Sequence, residues 1–184
     1  MKLIVAVTGA SGLIYALSFL KAVRKHDIET LLIITESARK VAKHEIKDIE
    51  LLTKLASRTF EPNELTASIA SGSFKVDGMV IVPSSMKTIS ALAHGYADNL
   101  VTRAADVQLK ERRPLIIVPR ETPLHASHLE NMAKLCRLGA IILPAMPGFY
   151  HKPNSIKELV DFISGKILDQ LGVENKLYKR WGSA

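Results

Sequence analysis

Two short stretches of small and hydroxyl-bearing residues have the composition of anion-binding turns. Residues 8–12 read Thr-Gly-Ala-Ser-Gly, and residues 83–88 read Pro-Ser-Ser-Met-Lys-Thr. Each stretch follows a compact apolar run and precedes a segment with helical periodicity. Glycine lets the backbone approach a ligand closely, and the free N–H groups and positive dipole end of a helix favour negative charge. Two such turns in one short chain predict a phosphate-bearing cofactor at the edge of a parallel sheet.

The elements that must position these turns alternate along the chain. Short, nearly continuous apolar runs predict buried strands at residues 3–7, 30–35, 79–82, 115–118 and 140–143. Helical periodicity predicts helices at residues 13–24, 37–45, 87–94, 100–111, 129–138 and 156–171, the last opened by a capping box at Ser155. The alternation predicts an α/β fold with a mainly parallel sheet and a ligand outside the carboxyl ends of its strands. At 184 residues the chain has the length of one well-buried domain, so we take residues 1–184 as a single domain.

Two segments depart from this alternation. The interval 46–75 is predicted to be an excursion with one short helix and a flexible, hydroxyl-rich loop at residues 68–73. The tail at residues 178–182 carries the only tryptophan, Trp181. An aromatic residue on a tail predicts docking, either onto the chain's own core or onto a neighbouring subunit.

Composition narrows the classes of function. The net charge is +7, but the densest basic run, residues 110–113, includes an acid, and aromatic residues make up only 5% of the chain. Single-strand binders interleave basic and aromatic side chains, so nucleic acid is disfavoured. There is no signal-peptide pattern and no apolar run near the ~20 residues that span a bilayer, so we expect a soluble, cytoplasmic protein without membrane contact. The single cysteine, Cys136, excludes an internal disulfide and is predicted to be a packed thiol, and the histidines show no metal-ligand spacing.

Taken together, the motifs resemble the flavin prenyltransferase family of the UbiX type over nearly the whole chain. They are residues 8–12, 83–88, 103–106, 109–115, 119–123, 128–132 and 147–151 and the closing Arg180-Trp181 pair. The resemblance implies a three-layer, Rossmann-like or flavodoxin-like fold. It implies an enzyme that joins a dimethylallyl group from dimethylallyl phosphate to N5 and C6 of reduced FMN without a metal. It also implies a homododecamer with active sites at subunit junctions, whose product serves a UbiD-type decarboxylase.

The resemblance also implies the residues of the site. The FMN-binding positions are Gly9, Ala10, Ser11, Thr35, Ser85, Met86, Lys87, Thr88 and Arg120. The positions that bind the prenyl phosphate are Lys110, Arg120, Tyr150 and Lys166, and position 166 is one that the family fills with arginine or lysine. The catalytic positions are Ser11, Glu45, Lys110, Glu121 and Trp181.

Each implied role has a chemical reason. Glu45 and Ser11 would relay protons near the flavin N5, Glu121 would lie near the substrate phosphate, and Trp181 would offer its π face to a developing allyl cation. Burial in a dry flavin pocket is expected to raise the pKa of such a carboxyl. Periodicity alone gives plainer interpretations: a solvated Lys166 on an amphipathic helix, a solvent-facing Glu45, and an Arg120 paired with Glu121.

The residues alone leave three other functions open. A flavin-dependent cysteine decarboxylase would carry an asparagine in the middle turn and a histidine near the first helix, whereas this chain has Ser84 and Ser85 there and no histidine between residues 9 and 24. Direct decarboxylation of aromatic acids is a second alternative, and a non-catalytic flavin carrier is a third. The preference for a monophosphate or a diphosphate prenyl donor is also open.

Overall fold

Six parallel strands form one sheet in the computed structural model, which describes residues 1–46 and 48–182. The strands are β1 (Lys2–Val7), β2 (Glu29–Ile34), β3 (Arg58–Phe60), β4 (Gly78–Ser84), β5 (Leu115–Pro119) and β6 (Ile141–Ile142). The helices are α1 (Leu13–Lys25), α2 (Glu36–Glu45), α3 (Glu50–Thr53), α4 (Met86–Ala93), α5 (Leu100–Lys110), α6 (Ala126–Arg137) and α7 (Ile156–Gln170). All strand pairs in the described residues are parallel, which confirms the predicted α/β class.

The strands are apolar on both faces because helices cover both faces of the sheet. Within β1, Leu3, Val5 and Val7 contribute to one core, which α1, α2 and α7 complete. Ile4 and Ala6 contribute to the other core, which α4, α5 and Leu135 of α6 complete. This two-sided burial explains why the strands read as continuous apolar runs rather than as alternating ones. The result is the expected three-layer architecture.

The order of the strands, β3-β2-β1-β4-β5-β6, reverses direction between β1 and β4. β1 pairs with β2 on one side and with β4 on the other. Crossover helices therefore leave these two neighbouring strands toward opposite sides, and a crevice opens outside their carboxyl ends. Both turns singled out in the sequence lie at this switch point.

The excursion after α2 is more ordered than its sequence indicates. It supplies the edge strand β3, which the sequence analysis missed, and a short 3₁₀ helix at Ser68–Ala70 within the segment expected to be a flexible loop. The Arg103 side chain donates to the Ala70 carbonyl at 3.1 Å, and the Arg113 guanidinium donates to the Phe74 and Gly72 carbonyls at 2.8 and 2.6 Å. The expectation of flexibility is therefore wrong, because two arginines hold the backbone of this loop.

Three finer predictions also need correction. Cys136 is exposed rather than packed, since Leu135 provides the buried contact in that part of α6. Ile156, expected on the apolar stripe of α7, is 71% exposed. In the capping box, Ser155 accepts from the Glu158 amide as predicted, but the Glu158 carboxylate accepts from Asn154 rather than from Ser155. No helix in the described ranges has the length and apolar character needed to cross a membrane.

Candidate functional site

Thr8 joins the two hydroxyl-rich turns. Its side chain is 1% exposed, and its Oγ1 donates to the Pro83 carbonyl at 2.9 Å and accepts from the Ser85 amide at 2.8 Å. The turn after β1 and the turn after β4 are therefore bound directly to each other, side by side. Thr8 opens the first motif, but the sequence analysis gave it no role.

The turn after β4 presents free hydrogen-bond donors. Ser85 is the N-cap of α4, where its Oγ accepts from the Thr88 amide at 3.4 Å and lies 3.1 Å from the Thr88 hydroxyl. The amides of Met86 and Lys87 are in the first helical turn and have no acceptor within the helix. This helix start is therefore a ready site for an anionic group.

A third turn lies at the same edge. Thr35 is the N-cap of α2, where its Oγ1 accepts from the Ala38 amide at 3.2 Å, and its own amide donates to the Val7 carbonyl at 3.0 Å. Gly9 lies against the start of α2 so closely that a Cβ at this position would collide with Ser37. The neighbouring Ala10 is buried. Only glycine permits this approach of the first turn to α2.

A buried hydroxyl without a partner marks the floor of the crevice. Ser84 is the last residue of β4 and is completely buried, yet its Oγ makes no hydrogen bond among the described residues. An unsatisfied buried polar group costs about 1–3 kcal/mol, so such groups point to a missing partner. The free hydroxyl, the free amides of α4 and the close glycine turn together fit FMN, whose phosphate and ring oxygens need donors. We call this region, formed by the turns after β1, β2 and β4, the switch-point cleft.

Glu45 occupies the start of α1. Its Oε2 accepts from the Gly12 amide at 2.8 Å and from the Leu13 amide at 2.9 Å. A carboxylate at this position satisfies two amides of the first turn and complements the helix dipole. Of the two helix starts expected to receive phosphate, that of α1 is therefore already capped, and that of α4 remains open.

The pKa of Glu45 is shifted opposite to the expected direction. Desolvation by burial acts to raise this pKa, but the hydrogen bonds from Ser11, Leu13 and Gly12 and the charge of Arg120 outweigh it, so the pKa is lowered. The prediction of a raised pKa considered only desolvation and omitted the donors of the helix start. The structure does bring Ser11 and Glu45 together, as the resemblance implies.

Arg120 lies just after β5, with its amide 3.3 Å from the Ser84 carbonyl, and it is exposed. Within the described residues it forms no ion pair, so the interpretation that it pairs with Glu121 is wrong. Glu121 instead accepts from the Thr122 amide at 3.1 Å. The charge of Arg120 also affects Tyr15, a residue that the sequence did not point to. Burial raises the pKa of Tyr15, and the positive charge of Arg120 partly opposes that shift.

A second group of implied residues lies along α7, where Tyr150 packs edge to face on Phe162 with ring centroids 6.1 Å apart. Tyr150 and Trp181 pack edge to face with ring centroids 5.3 Å apart, although Trp181 is 80% exposed. The Lys166 side chain is 41% exposed, and its Nζ lies 4.0 Å from the Asp169 carboxylate. Leu171, just beyond α7, would contact a Cβ placed on Gly78, the first residue of β4. This end of α7 therefore lies toward the amino ends of the strands, away from the switch-point cleft.

Lys110 lies in a third place. It is the last residue of α5, five residues before β5 begins at Leu115, so it too lies at the amino edge of the sheet. There it pairs with Glu111, and its Nζ would be 2.7 Å from a Cβ on Gly72. Within one chain, Lys110 and Arg120 therefore lie at opposite edges of the sheet. No three His, Cys, Asp or Glu side chains of the described ranges lie close enough to form a metal site.

This fold and this site define a class of open α/β protein that holds a phosphorylated cofactor at the switch point. Residues 1–168 match the family model described as Flavoprotein. The chain is 55% identical over 181 residues to the flavin prenyltransferase UbiX of Methanothermobacter thermautotrophicus, covering 97% of this chain and 94% of that protein. The chain belongs to the UbiX-type flavin prenyltransferases.

Two solved structures show how closely the fold is shared. AnUbiX (PadA1), solved in complex with FMN and dimethylallyl pyrophosphate, has a TM-score of 0.97 at 40% identity and covers 100% of this chain and 98% of its own. A dodecameric FMN-dependent UbiX-like decarboxylase from Escherichia coli O157:H7 has a TM-score of 0.96 at 42% identity and covers 100% of both chains.

Proposed function

We propose that this single-domain protein transfers a dimethylallyl group from dimethylallyl phosphate to N5 and C6 of reduced FMN. In this transfer the allylic carbon–oxygen bond breaks, phosphate leaves, and prenylated FMN is the product. The observation that carries the proposal is the switch-point cleft, where Thr8 binds the turn after β1, which carries Ser11 and is contacted by Glu45, to the turn that opens α4. The family membership and the relative crystallised with FMN and dimethylallyl pyrophosphate support it.

The flavin is held by backbone donors and hydroxyls. The amides of Met86 and Lys87, the hydroxyls of Ser85 and Thr88 and the orphan hydroxyl of Ser84 supply donors. Gly9, Ala10 and Thr35 provide the close wall on the other side of the cleft, and Arg120 closes its end. When bound, reduced FMN supplies the electron-rich ring atoms that accept the prenyl group.

Glu45 and Ser11 handle the proton at N5. Because its pKa is lowered, the Glu45 carboxylate is ionised near neutral pH and ready to accept a proton through the Ser11 hydroxyl. The two amides of α1 fix its orientation, which keeps Oε2 directed at the turn. We place Glu121, exposed after the end of β5, near the leaving phosphate.

The prenyl phosphate is bound by residues of more than one copy. Arg120 lies at the carboxyl edge of the sheet, whereas Lys110 lies at its amino edge and Lys166 is near the end of α7, with Tyr150 and Trp181 packed together beside the tail. A site that uses all of them requires that neighbouring copies juxtapose these surfaces. The dodecameric relative and the 80% exposure of Trp181 support a homo-oligomer, and we propose a dodecamer. We further propose that the enzyme acts in the cytoplasm and delivers its product to a UbiD-type decarboxylase.

The direct test is anaerobic incubation with reduced FMN and dimethylallyl phosphate, followed by mass spectrometry of the flavin. We expect a gain of one prenyl unit and release of one phosphate per flavin. The matched control contains oxidised FMN, which lacks the electron-rich ring and should gain nothing. An unchanged flavin mass with bound, reduced FMN would refute the proposal, and a parallel reaction with the diphosphate identifies the preferred donor.

Direct decarboxylation is the second candidate, because the Escherichia coli relative is described as a UbiX-like decarboxylase. Release of CO₂ from an aromatic acid by the purified protein, with no partner enzyme present, would favour it. We expect no release above the protein-free rate.

A further inference from the structure

Asp169, near the end of α7, binds three side chains of the C-terminal segment. The Tyr178 hydroxyl donates to its Oδ2 at 2.5 Å, and the Asn175 amide donates to its Oδ1 at 2.9 Å. The Arg180 guanidinium binds both carboxylate oxygens, at 2.7 and 3.1 Å. We call Asp169, Asn175, Tyr178 and Arg180 the Asp169 cluster, and from here on the tail includes residues 174–177 as well as 178–182. The carboxylate is mostly buried, with its side chain 17% exposed, so these charge-assisted bonds are sheltered from solvent.

The packing around the cluster is equally specific. Gly165 lies inside α7, and a Cβ there would be 2.5 Å from the Tyr178 ring. The same ring meets Phe162 edge to face, with centroids 4.9 Å apart. Glycine weakens a helix interior, so its presence here is explained by the close approach of Tyr178. The helix surface is therefore shaped to receive the tail.

Fixing the tail has a consequence for Trp181. This residue follows Arg180 directly and stands edge to face on Tyr150, with centroids 5.3 Å apart. Tyr150 and Trp181 line one cavity of about 330 Å³ together with Lys152, Lys179 and Arg180. The residue next to Trp181, Arg180, is bound to α7 by two hydrogen bonds to Asp169.

The cluster also leaves Lys166 available. Its Nζ forms a long ion pair with Asp169 at 4.0 Å, beyond hydrogen-bond distance, and the tail donors already occupy both carboxylate oxygens. The lysine is then free to turn toward an anionic ligand.

We propose that Asp169 is a positioning residue for the prenyl-phosphate site: it clamps the tail so that Trp181 is held against Tyr150 while Lys166 remains available to the phosphate. This inference rests on the proposed function, which assigns Tyr150, Lys166 and Trp181 to that site. Asp169 itself touches no reacting atom.

The electrostatics agree with a permanently charged clamp. Desolvation acts to raise the pKa of Asp169, but hydrogen bonds from Arg180, Tyr178 and Asn175 outweigh it and lower the pKa. Burial, together with the hydrogen bond to Asp169, raises the pKa of Tyr178 to about 12, so its hydroxyl remains a donor at neutral pH. At neutral pH the carboxylate is therefore charged and the Tyr178 hydroxyl is protonated, as the clamp requires.

Limited proteolysis tests the clamp without reference to activity. The tail contains three trypsin sites, at Lys176, Lys179 and Arg180. Loss of a charged hydrogen bond should open the tail, so Asp169→Asn and Tyr178→Phe should each speed cleavage after Lys176 on the order of tenfold. Glu174→Gln removes a carboxylate from the same tail without touching the cluster and should be cleaved at the wild-type rate. Wild-type cleavage rates in both cluster variants would overturn the clamp.

Kinetics test its role in positioning. Both cluster variants should raise KM for dimethylallyl phosphate about tenfold and leave the FMN dissociation constant unchanged, since no residue of the cluster is among those that we propose to hold FMN. Tyr178→Phe keeps the charge of Asp169 beside Lys166, so an effect shared by both variants reports the position of the tail. Faster cleavage with an unchanged KM, or an equal loss of FMN affinity, would overturn the positioning role. If the wild type itself transfers no prenyl group, the proposed function fails, whereas the proteolysis result still decides whether the clamp exists.

Discussion

At the scale of single residues, Glu45 combines a structural role with a proposed chemical one. Its carboxylate caps α1 through Gly12 and Leu13, and it accepts from Ser11 in the switch-point cleft. The amides that Glu45 caps also lower its pKa, so at neutral pH the carboxylate is ionised and can accept a proton rather than donate one. A helix cap has thus been placed where a base is needed.

Glu45→Gln should slow prenyl transfer while FMN and dimethylallyl phosphate still bind, because the amide fills the same volume but accepts no proton. Loss of general acid–base help costs about 10²–10⁴ in rate. Anaerobic single-turnover measurements with both ligands saturating check this. Glu36→Gln, an exposed position on the same helix, serves as the control and should keep the wild-type rate.

The lowered pKa of Glu45 fixes the pH dependence of this effect. The carboxylate is ionised above its folded pKa and becomes protonated as the pH falls through that value, below the ordinary range of a glutamate. Protonation of Glu45 should therefore lower the wild-type rate only at pH values below the ordinary pKa of a glutamate. A wild-type break near neutral pH that disappears in Glu45→Gln would show that desolvation, not the helix start, sets this pKa.

At the scale of elements, the cleft depends on how two turns are joined. β1 and β4 are adjacent and parallel, but their pairing covers only residues up to Ala6 and Ile81, so the ladder does not reach the turns themselves. Thr8 takes over at that point with side-chain bonds to Pro83 and Ser85. The buried Thr8 hydroxyl therefore joins the two turns at the point where the pairing of β1 and β4 ends.

Thr8→Val should loosen this junction. Valine keeps the β-branched shape and the Thr8 amide can still donate to the Pro83 carbonyl at 3.3 Å, but the Ser85 amide loses its partner, which should destabilise the fold by about 1–3 kcal/mol. The turn that offers donors to FMN should also shift, so flavin content should fall. Urea unfolding and the visible absorbance of the purified protein measure the two effects.

Thr66→Val is the matched control, since Thr66 is exposed and its hydroxyl makes no hydrogen bond in the described structure. It should change stability by less than about 0.5 kcal/mol. Full flavin occupancy in Thr8→Val would mean that the backbone alone holds the two turns in register.

At the scale of the whole molecule, the chain distributes its proposed phosphate ligands over separate surfaces. Arg120 is at the carboxyl edge of the sheet, Lys110 is at the amino edge, and Tyr150 packs against Trp181 of the tail. Exposed aromatic and aliphatic side chains accompany these surfaces, among them Phe149 at 69% and Trp181 at 80% exposure. Such surfaces are normally covered in an assembly.

Mixing two inactive variants tests whether the site is shared. Lys110→Ala and Arg120→Ala should each be inactive alone, and co-expressed copies should recover about one quarter of the wild-type rate, the random share of sites that contain both native residues from different copies. Light scattering verifies that each preparation is a large oligomer.

The control for this experiment co-expresses Lys110→Ala with the Lys110→Ala, Arg120→Ala double variant. No site in that mixture contains Lys110, so no recovery is expected. If the first mixture also recovers no activity, both residues belong to the site of a single chain.

The sequence by itself determined the class of fold and the location of the cofactor turns. Continuous apolar strands can only be buried on both faces, and turns of small residues at their ends can only lie at one edge of a parallel sheet. These are local consequences of residue type, and local chemistry is what a sequence displays directly. The family resemblance, carried by motifs in fixed order, added the reaction, and the relatives confirm that membership.

The tertiary structure alone decided which groups meet. That Thr8 binds the second turn across 75 residues, that Glu45 caps α1 and that Asp169 binds the tail are results of long-range packing with no local signature. The pKa of Glu45 followed the same rule: its burial could be anticipated, but its donors come from an element 32 and 33 residues earlier in the chain. Residue types fix what each side chain can do, and only the folded chain fixes its partners.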